Sequence, residues 1–402
     1  MSFVHWSYVY SAYVLPWGEM RIYCKDTMHQ LNWPATPDGD YARRVLVPMM
    51  RDGSLAYFHN VDAEVQLLAA EGQIMPLVLG NRHPSVKNSY VASPMAHYVD
   101  YAREEMAIEL GAYPALRLAL TPLIGLLEQC FRALELEQVV FVNNWLLSTN
   151  LYPNFDLAAL NDITQLLISQ FQDRSIVFRS VNPTLNGPLY EHLLKLGYIP
   201  VFSRQVYLLD PASRSYAHKT SYLRDLSLQR RSRYVWESGQ DLNMAHISRL
   251  ADLYASLYLH KYSTLNPQFS LRFFETALAQ NWLNFAWLRR PDASQPDAVI
   301  GWFERDGVMT APLVGYDPSR PTADGLYRLA TLKLLQEAIE RNLILHQSSG
   351  VSKFKLHRGA VPAIEYNMVY DQHRPRHLRL PWQSLRGLTA GIIEPLVKRL
   401  KL

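Results

Sequence analysis

The chain has 402 residues, of which 49% are hydrophobic and 19% charged, and this balance excludes a disordered or fibrous protein. Its length suits two domains with a short extension. The net charge of +4 permits phosphate-bearing partners such as CoA, a nucleotide or tRNA without requiring them. Two cysteines, Cys24 and Cys130, are too few for a disulfide framework or a cysteine-based zinc site, so we expect a reducing compartment.

The hydropathy pattern predicts neither a signal peptide nor a membrane span. The first ten residues, MSFVHWSYVY, lack a basic region and a small-residue cleavage site. The longest apolar stretch, residues 115–131, contains Arg117, Pro122 and Glu128 and is too short to cross a bilayer. We therefore expect a cytoplasmic protein. The sequence leaves its oligomeric state open.

The first half is predicted to alternate short strands with helices. A hairpin is expected around Asp52-Gly53, because this dipeptide favours tight turns and apolar residues flank it at 43–50 and 54–58. Helical spacing or short β-branched runs predict the remaining elements: strands at 74–79, 138–143, 175–181 and 198–209, and helices at 98–110, 119–135, 157–172 and 189–196. Gly197 is a typical residue to follow the last of these helices.

The second half follows a hinge-like stretch at residues 210–215 and repeats the same coarse order. It is predicted to contain helices at 222–234, 244–260, 270–280 and 326–341, strands at 285–289, 298–305, 307–315, 344–347 and 363–371, and a basic helical tail after Pro381. Asp306-Gly307 predicts a hairpin turn. We therefore expect a mixed α/β (α+β) protein of two lobes, 1–210 and 217–380, each a sheet flanked by helices, followed by a tail at 381–402.

Two segments resemble a known superfamily. Residues 182–209, NPTLNGPLYEHLLKLGYIPVFSRQVYLL, look like the closing segment of a GNAT acetyltransferase lobe. Residues 351–371, VSKFKLHRGAVPAIEYNMVYD, are similar to the Phe-Lys and glycine close of the FemX/FemAB-like and CelD-like tandem GNAT proteins; here the residues are Phe354, Lys355 and Gly359. The resemblance implies two GNAT lobes. It also implies transfer of an acyl group from acyl-CoA, or of an amino acid from aminoacyl-tRNA, to an amine, with no tightly bound cofactor.

The glycine loop that holds the CoA pyrophosphate at a helix N-terminus in ordinary GNAT enzymes is absent from both halves. The second half has PSRPTADGL at residues 318–326, which keeps Arg320 and Gly325 without the spacing, and the first half has no glycine at the matching place. The resemblance implies that FemX-like proteins commonly lack this loop. The departure therefore fits the FemX-like proteins better than simple acetyltransferases.

The resemblance makes Lys355, with Phe354, the first candidate for a catalytic role, because a fixed cation beside the oxyanion lowers the barrier of acyl transfer. The alternative is a surface lysine on an edge strand. If the segment is extended, Lys353, Lys355 and His357 share one face, and with Arg358 they would form a row that binds phosphate or carboxylate. The alternative for these neighbours is a solvated basic loop.

Tyr316 and Asp317 end a strand at the place where GNAT lobes separate two strands and admit the donor. Asp317 is a candidate base or amine-orienting group, and otherwise a turn residue before Pro318. Substrate-binding roles are also predicted for Arg320, from the remnant of the loop, and for Lys261 and Tyr262, which follow a tyrosine-rich helix.

A basic helical segment carries four arginines suited to phosphate contacts. Arg224, Arg230, Arg231 and Arg233 could bind a CoA 3′-phosphate or a tRNA backbone, and otherwise form the solvated face of a helix between the lobes. His5, His59, His83 and His97 show no ligand spacing, so no metal is expected.

These patterns favour an N-acyltransferase that uses acyl-CoA or aminoacyl-tRNA as co-substrate and acts on the amine of a small molecule or cell-envelope precursor. The alternative is a non-catalytic, degenerate GNAT pair that binds a ligand or RNA. The two hypotheses differ in whether a donor is consumed.

Overall fold

The computed structural model describes residues 13–15, 18–104, 114–154 and 156–400. Its thirteen strands are β1 (Tyr13–Leu15), β2 (Gly18–Tyr23), β3 (Glu64–Ala70), β4 (Gln73–Leu79), β5 (Val139–Val142), β6 (Ser175–Val181), β7 (Ile199–Leu209), β8 (Val235–Ser238), β9 (Asn284–Arg289), β10 (Ala298–Arg305), β11 (Val308–Tyr316), β12 (Ile344–His346) and β13 (Val361–Tyr370).

The α-helices begin and end near the predicted positions in most cases. They are α1 (Pro37–Asp52), α2 (Pro114–Ala133), α3 (Ala159–Gln170), α4 (Gly187–Lys195), α5 (Thr220–Arg231), α6 (Ile247–Leu257), α7 (Leu271–Ala279), α8 (Leu326–Arg341), α9 (Ser352–Leu356), α10 (Leu380–Leu388) and α11 (Glu394–Leu400). Residues 105–110 of the helix predicted at 98–110 lie outside the described residues.

All strands join one sheet in the order β1-β2-β3-β4-β5-β6-β13-β7-β12-β11-β10-β9-β8. The two halves of this order match. In the first half β4–β5 is antiparallel and β5–β6 parallel, and in the second half β10–β11 is antiparallel and β11–β12 parallel. The chain also follows one path twice, as strand, helix, parallel strand, helix and closing strand. This topology confirms two mixed α/β lobes in tandem, each with the closing segment on which the GNAT resemblance rests.

The two lobes exchange their closing strands at the centre of the sheet. Strand β7 of the first lobe pairs with β12 of the second, and β13 of the second lobe pairs with β6 of the first. The exchanged strands also pair with each other, with Glu365 opposite Arg204. The boundary expected at 210–217 stays a prediction, because the sheet is continuous across both lobes.

The largest hydrophobic cluster also joins the lobes, on one face of the sheet. Buried residues of α1 and the strands of the first lobe pack with α6 and α7 of the second. Phe58 and Phe269 form an isolated β-bridge, and their tilted rings lie 5.6 Å apart between centroids. Residues from both lobes therefore complete a single core, which fixes the relative position of the parts that form the site.

The hairpin predicted around Asp52-Gly53 is wrong. Residues 37–52 form α1, whose first turn is stabilised by the Thr36 hydroxyl, which accepts a hydrogen bond from the Gly39 N–H at 3.0 Å, and by Pro37 in the first helical position. Gly53 instead follows the C-terminus of the helix with a φ of 84°. The hairpin at Asp306-Gly307 is confirmed, and both residues adopt the positive φ that its tight turn requires.

The helical tail and several helix ends follow the predicted chemistry. Gly197 follows α4 with a φ of 92°, and Asn342 ends α8 in the left-handed conformation. Helices α10 and α11 form the tail. In the part of the chain that the structure describes, none of the helices combines the length and the apolar character that crossing a bilayer demands.

Candidate functional site

A buried ion pair lies at the centre of the sheet, where the two closing strands meet. Arg204 Nε on β7 donates to Glu365 Oε2 on β13 at 2.7 Å, and His346 Nε2 at the end of β12 lies 3.0 Å from Glu365 Oε1. The side chain of Glu365 is 1% exposed. Burial alone would raise its pKa, but Arg204 and His346 lower the pKa of Glu365 to about 2. The carboxylate is therefore ionised at neutral pH.

The rest of Arg204 ties this pair to the loops that follow the parallel strands of both lobes. Its guanidinium donates to Ser348 Oγ at 3.2 Å, Thr149 Oγ1 at 2.9 Å and the Ser148 carbonyl oxygen at 2.6 Å. The Ser348 N–H donates to His346 Nδ1 at 3.1 Å, which leaves Nε2 as the protonated nitrogen facing Glu365. The central cluster is thus held by fixed hydrogen bonds from both lobes.

Lys355 is a buried residue and not the surface lysine of the alternative. Its ammonium donates to the carbonyl oxygens of Gln347 at 2.6 Å, Ser348 at 3.1 Å and Ser349 at 2.8 Å, which uses all three of its N–H groups. It also lies 5.3 Å from the ring centroid of Tyr207. Burial, and then Arg204, lower the pKa of Lys355 to about 7. These contacts hold together the loop that carries Ser348.

The segment around Lys355 is helical, so the extended row predicted from Lys353 to His357 is wrong. Lys353 and His357 are exposed, whereas Lys355 is buried on another side of the helix. Residues two apart point in different directions on a helix, and this explains the separation. Arg358 also leaves the row, because it turns toward α5.

Phe354 and Arg358 connect α9 and the turn after it to α5 within the second lobe. The Arg358 guanidinium lies 3.4 Å from the centroid of the Phe354 ring and forms a two-pronged ion pair with Asp225, with Nε 2.6 Å from Oδ2. Arg328 on α8 also binds Asp225 at 2.6 Å. The expected substrate-binding role of Arg358 stays a prediction, with its guanidinium already paired.

Four predicted residues of the second lobe belong to one aromatic cluster. Lys261 Nζ lies 3.4 Å from the Tyr316 hydroxyl and 5.8 Å from the Tyr262 ring centroid. Tyr327 lies between Tyr316 and Phe354, with centroid distances of 6.0 and 5.0 Å. The cluster lies beyond Thr310 and His346, the last pair of the parallel strands β11 and β12. The structure thus brings Tyr316, Lys261, Tyr262 and Phe354 together where these strands separate.

Asp317 and Arg320 belong to an ion network at the end of β11. Asp317 Oδ2 accepts from Arg249 at 2.6 Å and lies 3.6 Å from Arg320, and Oδ1 accepts from the Ser319 N–H at 2.8 Å. Arg320 also pairs with the buried Asp297 at 2.9 Å. Burial would raise the pKa of Asp317, but bonds from Ser319 and Arg249 lower it to about 2. These contacts match the alternative prediction for Asp317, which made it a turn residue. A carboxylate with so low a pKa is a weak base.

The basic segment forms α5 and the turn after it, and its arginines face solvent. Arg224, Arg230, Arg231 and Arg233 are all exposed. Asp225, the one carboxylate between residues 211 and 236, is turned inward to Arg328 and Arg358. The outer face of the segment is therefore strongly positive, and phosphate binding by these arginines stays a prediction.

A polar cavity of about 160 Å³, partly open to solvent, lies between the lobes, and we call it the interlobe cavity. It opens where the parallel strands of the first lobe, β5 and β6, separate after Val142 and Phe178. Its wall comes from both lobes: residues Asn150, Leu151, Tyr152, Pro153, Asn154, Leu157, Ser180, Asn182, Leu185, Asn186, Pro188 and Leu189 of the first, and Arg305, Asp306, Val308, His346 and Glu365 of the second.

Two amide side chains of the cavity wall have an unused donor. The Asn150 Oδ1 accepts from the Trp145 N–H at 3.1 Å, and the Asn182 Oδ1 accepts from the Thr184 N–H at 2.9 Å. These backbone donors fix which end of each amide is oxygen. Both Nδ2 groups are buried and have no hydrogen-bond partner among the residues that the structure describes. Each such donor costs about 1–3 kcal/mol when it is left unpaired, so the cavity favours a ligand with acceptor oxygens.

Buried positive charge surrounds the central carboxylate. Arg179 and Lys355 are 3% and 5% exposed, and Arg204 is the partner of Glu365. Arg179 donates to the Leu147 carbonyl oxygen at 3.0 Å, and burial, followed by Arg204, lowers its pKa to about 10. Among the described residues, this cluster thus sets two arginines, and a lysine whose pKa is lowered to about 7, against one bonded carboxylate. The excess creates a positive potential near the cavity.

The backbone beside the cavity is bent. Ser180 in β6 has a φ of 64°, and the register between β6 and β13 shifts by one residue opposite Asn367. A second shift, at Ser203 in β7, lies beside Glu365. Such bulges redirect side chains and are frequent next to functional sites. They turn the ends of the strands away from a regular ladder at the wall of the cavity.

The sequence analysis did not single out the residues of this central region. Arg179, Arg204, His346 and Glu365 are charged or polar residues within strands that otherwise read as buried. A polar residue inside a buried strand is costly unless it is paired, and this was the available signal. Of the residues that the structure describes, no three acidic, histidine or cysteine side chains come together as a metal site.

Comparison with known proteins finds distant likenesses to solved structures only. No protein-family model and no curated protein matches the chain. The crystal structure of FemX matches with 7% identity over 84% of this chain and 94% of that one, at a TM-score of 0.48. A tandem GNAT protein from the clavulanic acid biosynthesis pathway matches with 8% identity over 89% and 99%, at 0.36.

The C-terminal domain of a putative lysylphosphatidylglycerol synthetase from Agrobacterium fabrum matches with 13% identity over 62% of this chain and 82% of that one, at a TM-score of 0.44. All three scores lie below 0.5, so the fold of this chain rests on its own sheet topology: two mixed α/β lobes in tandem that exchange their closing strands.

Proposed function

We propose that this chain is an N-acyltransferase that transfers an acyl or aminoacyl group to an amine bound in the interlobe cavity. The observation that carries the proposal is a polar cavity with an ionised carboxylate, Glu365, in its wall. A buried carboxylate is complementary to an ammonium group. The cavity also lies where the parallel strands of a lobe separate, which is where the GNAT resemblance places the reacting groups.

The chemistry needs no covalent enzyme intermediate. The amine nitrogen attacks the carbonyl carbon of the donor, a C–N bond forms, and the bond from that carbon to the donor's sulfur or oxygen breaks. The proton lost by the amine goes finally to the leaving sulfur or oxygen. Glu365 would orient the amine, and the buried cations Arg204, Arg179 and Lys355 would stabilise the negative charge that develops on the carbonyl oxygen.

The N-terminus of α8 favours aminoacyl-tRNA over acyl-CoA as the donor. In ordinary GNAT enzymes the matching helix end holds the CoA pyrophosphate. Here the Leu228 side chain lies against Gly325, where an added Cβ would be 2.5 Å away, and the Tyr234 hydroxyl donates to Asp324 at 2.9 Å. An apolar side chain and a carboxylate at this position oppose a pyrophosphate.

The first lobe offers no better place for CoA, since residues 144–173 contain no lysine or arginine. In contrast, the exposed arginines of the α5 segment suit the phosphate backbone of an RNA.

The test is a transfer assay with small primary amines as acceptors and acetyl-CoA, longer acyl-CoAs or aminoacyl-tRNA as donors. Mass spectrometry would identify the acylated amine. We expect product with aminoacyl-tRNA and a steep fall in tRNA affinity as salt rises, because each phosphate contact releases counterions. Product with acyl-CoA alone would refute the choice of donor. Binding of tRNA or an amine without any product would favour the non-catalytic alternative.

Two charge-reversal variants distinguish a tRNA site on α5 from a general effect of protein charge on tRNA binding. Arg231→Glu is expected to weaken tRNA binding several-fold and to reduce the salt dependence. Lys195→Glu is the matched control, because Lys195 is also an exposed cation in the last turn of a helix, α4, away from α5. Equal losses in both variants would contradict a tRNA site on α5.

A further inference from the structure

We infer that the interlobe cavity binds a small α-amino acid as the acceptor, with its carboxylate on the Asn150 and Asn182 amides and its ammonium on the side of Glu365 and Asp306. The inference rests on the proposed function, since it names the acceptor class of the same cavity. It adds a requirement for the acceptor, which must carry a carboxylate next to its amine.

The carboxylate half of the site follows from the unused donors. The oxygens of both amides accept from backbone N–H groups, so their nitrogens are the ends left without partners. Asn150 and Asn182 are 3% and 1% exposed, and both line the cavity. Two buried amide donors suit the two oxygens of one carboxylate.

The ammonium half is formed by two carboxylates in the wall. Glu365 is ionised, and Asp306 lies in the turn between β10 and β11, where its Oδ2 accepts from the Asn154 N–H at 2.6 Å. A carboxylate has room for more than one donor, so both can accept from a ligand ammonium. Donors and acceptors thus occupy the same small cavity, as a zwitterion requires.

The volume accommodates such a ligand. A water molecule needs roughly 10–15 Å³ of space of this kind, so a cavity of about 160 Å³ has room for several waters or for a small amino acid such as alanine.

The experiment measures binding to the whole chain by calorimetry, with three probes: L-alanine, ethylamine, which corresponds to alanine without its carboxylate, and propionate, which corresponds to alanine without its ammonium. We expect L-alanine to bind, and each of the other two, which lacks one charged group, to bind at least ten times more weakly. Ethylamine binding as tightly as L-alanine would overturn the carboxylate site, and so would the absence of any L-alanine binding.

Two isosteric variants test the amides. Asn182→Asp and Asn150→Asp keep the oxygen that accepts from the backbone and replace the unused donor by an oxygen, so each should weaken L-alanine binding at least tenfold. Asn161→Asp, on the exposed face of α3, makes the same change outside the cavity and should leave binding unchanged. Thermal unfolding shows which variants are folded. L-alanine binding unchanged in a folded Asn182→Asp or Asn150→Asp variant would overturn the inference.

The outcomes also separate this inference from the proposed function. L-alanine binding that depends on the two amides, without transfer from any donor, supports the amino-acid site and contradicts the transferase. Transfer to ethylamine as efficient as transfer to L-alanine supports the transferase and overturns the amino-acid site.

Discussion

Replacing Glu365 by glutamine tests whether the central ion pair holds the two lobes together. The substitution keeps the volume and the acceptor oxygen but removes the charge that faces Arg204 at 2.7 Å. Leaving one partner of a buried pair uncompensated costs about 3–5 kcal/mol. The pKa gives a similar figure, because lowering it from 4.5 to about 2 corresponds to about 3 kcal/mol of folding free energy.

The sign of the pH dependence follows from the direction of this shift. A carboxylate whose folded pKa is depressed contributes stability that is complete above about pH 4.5 and disappears as the pH falls toward about 2. Glu365→Gln should therefore be less stable than the natural chain by about 3 kcal/mol at pH 7, and the gap should narrow below pH 4.5. Urea unfolding at pH 7 and at steps down to pH 3.5 measures it.

The control is Glu304→Gln, the same change in an exposed pair. Glu304 lies 3.2 Å from Arg341, with the two side chains 34% and 41% exposed, and such pairs contribute about 0–1 kcal/mol. If Glu365→Gln lost no more than Glu304→Gln, the central pair would not be a determinant of stability. A gap that stayed constant down to pH 3.5 would refute the electrostatic origin of the effect.

Three further substitutions test individual residues. Lys355→Met should lower the free energy of unfolding by about 2 kcal/mol or more, since three carbonyl oxygens lose their donor. The rate of acyl transfer should fall as well, and an unchanged turnover would remove any role for Lys355 in the reaction. Asp317→Asn should cost about 1–3 kcal/mol in urea unfolding while turnover stays within a few-fold, whereas a general base would show the reverse. Burial raises the pKa of Glu137 to about 7, so ionisation of this side chain should lower the stability of the fold as the pH rises from 4.5 to 7. Glu137→Gln should therefore raise the melting temperature relative to the natural chain at pH 8 and not at pH 4. An equal effect at both pH values would contradict this.

Local chemistry predicted most elements because it determines them locally. The helix expected at residues 326–341 and the strand at 175–181 have the predicted bounds, and the turn at Asp306-Gly307 needs only its own two residues. Residues 43–50 were predicted as a strand from their apolar run, yet Thr36 and Pro37 begin a helix just before them. The segment forms a helix despite its strand-like apolar run, because one face of that helix is buried against the strands of the first lobe and this packing stabilises it.

The candidate site was harder to predict because its contacts are long-range. Arg204 and Glu365 are 161 residues apart and meet only through the exchange of closing strands. The Phe-Lys resemblance pointed to a residue beside this candidate site, since Lys355 binds the loop next to His346 and Ser348. It could not reveal that the ammonium faces carbonyl oxygens, because that depends on the path of a loop and not on residue type.

The exchange of closing strands gives the two lobes a joint site. Glu365 lies on a strand of the second lobe, but that strand pairs with β6, whose end supplies Ser180 and Asn182 to the same cavity. Asp306 closes the wall from the second lobe, and its carboxylate binds the backbone of Asn154 in the first. Neither lobe alone holds both the unused amide donors and the carboxylates. The polar cavity therefore belongs to the contact between the two lobes and not to either lobe alone.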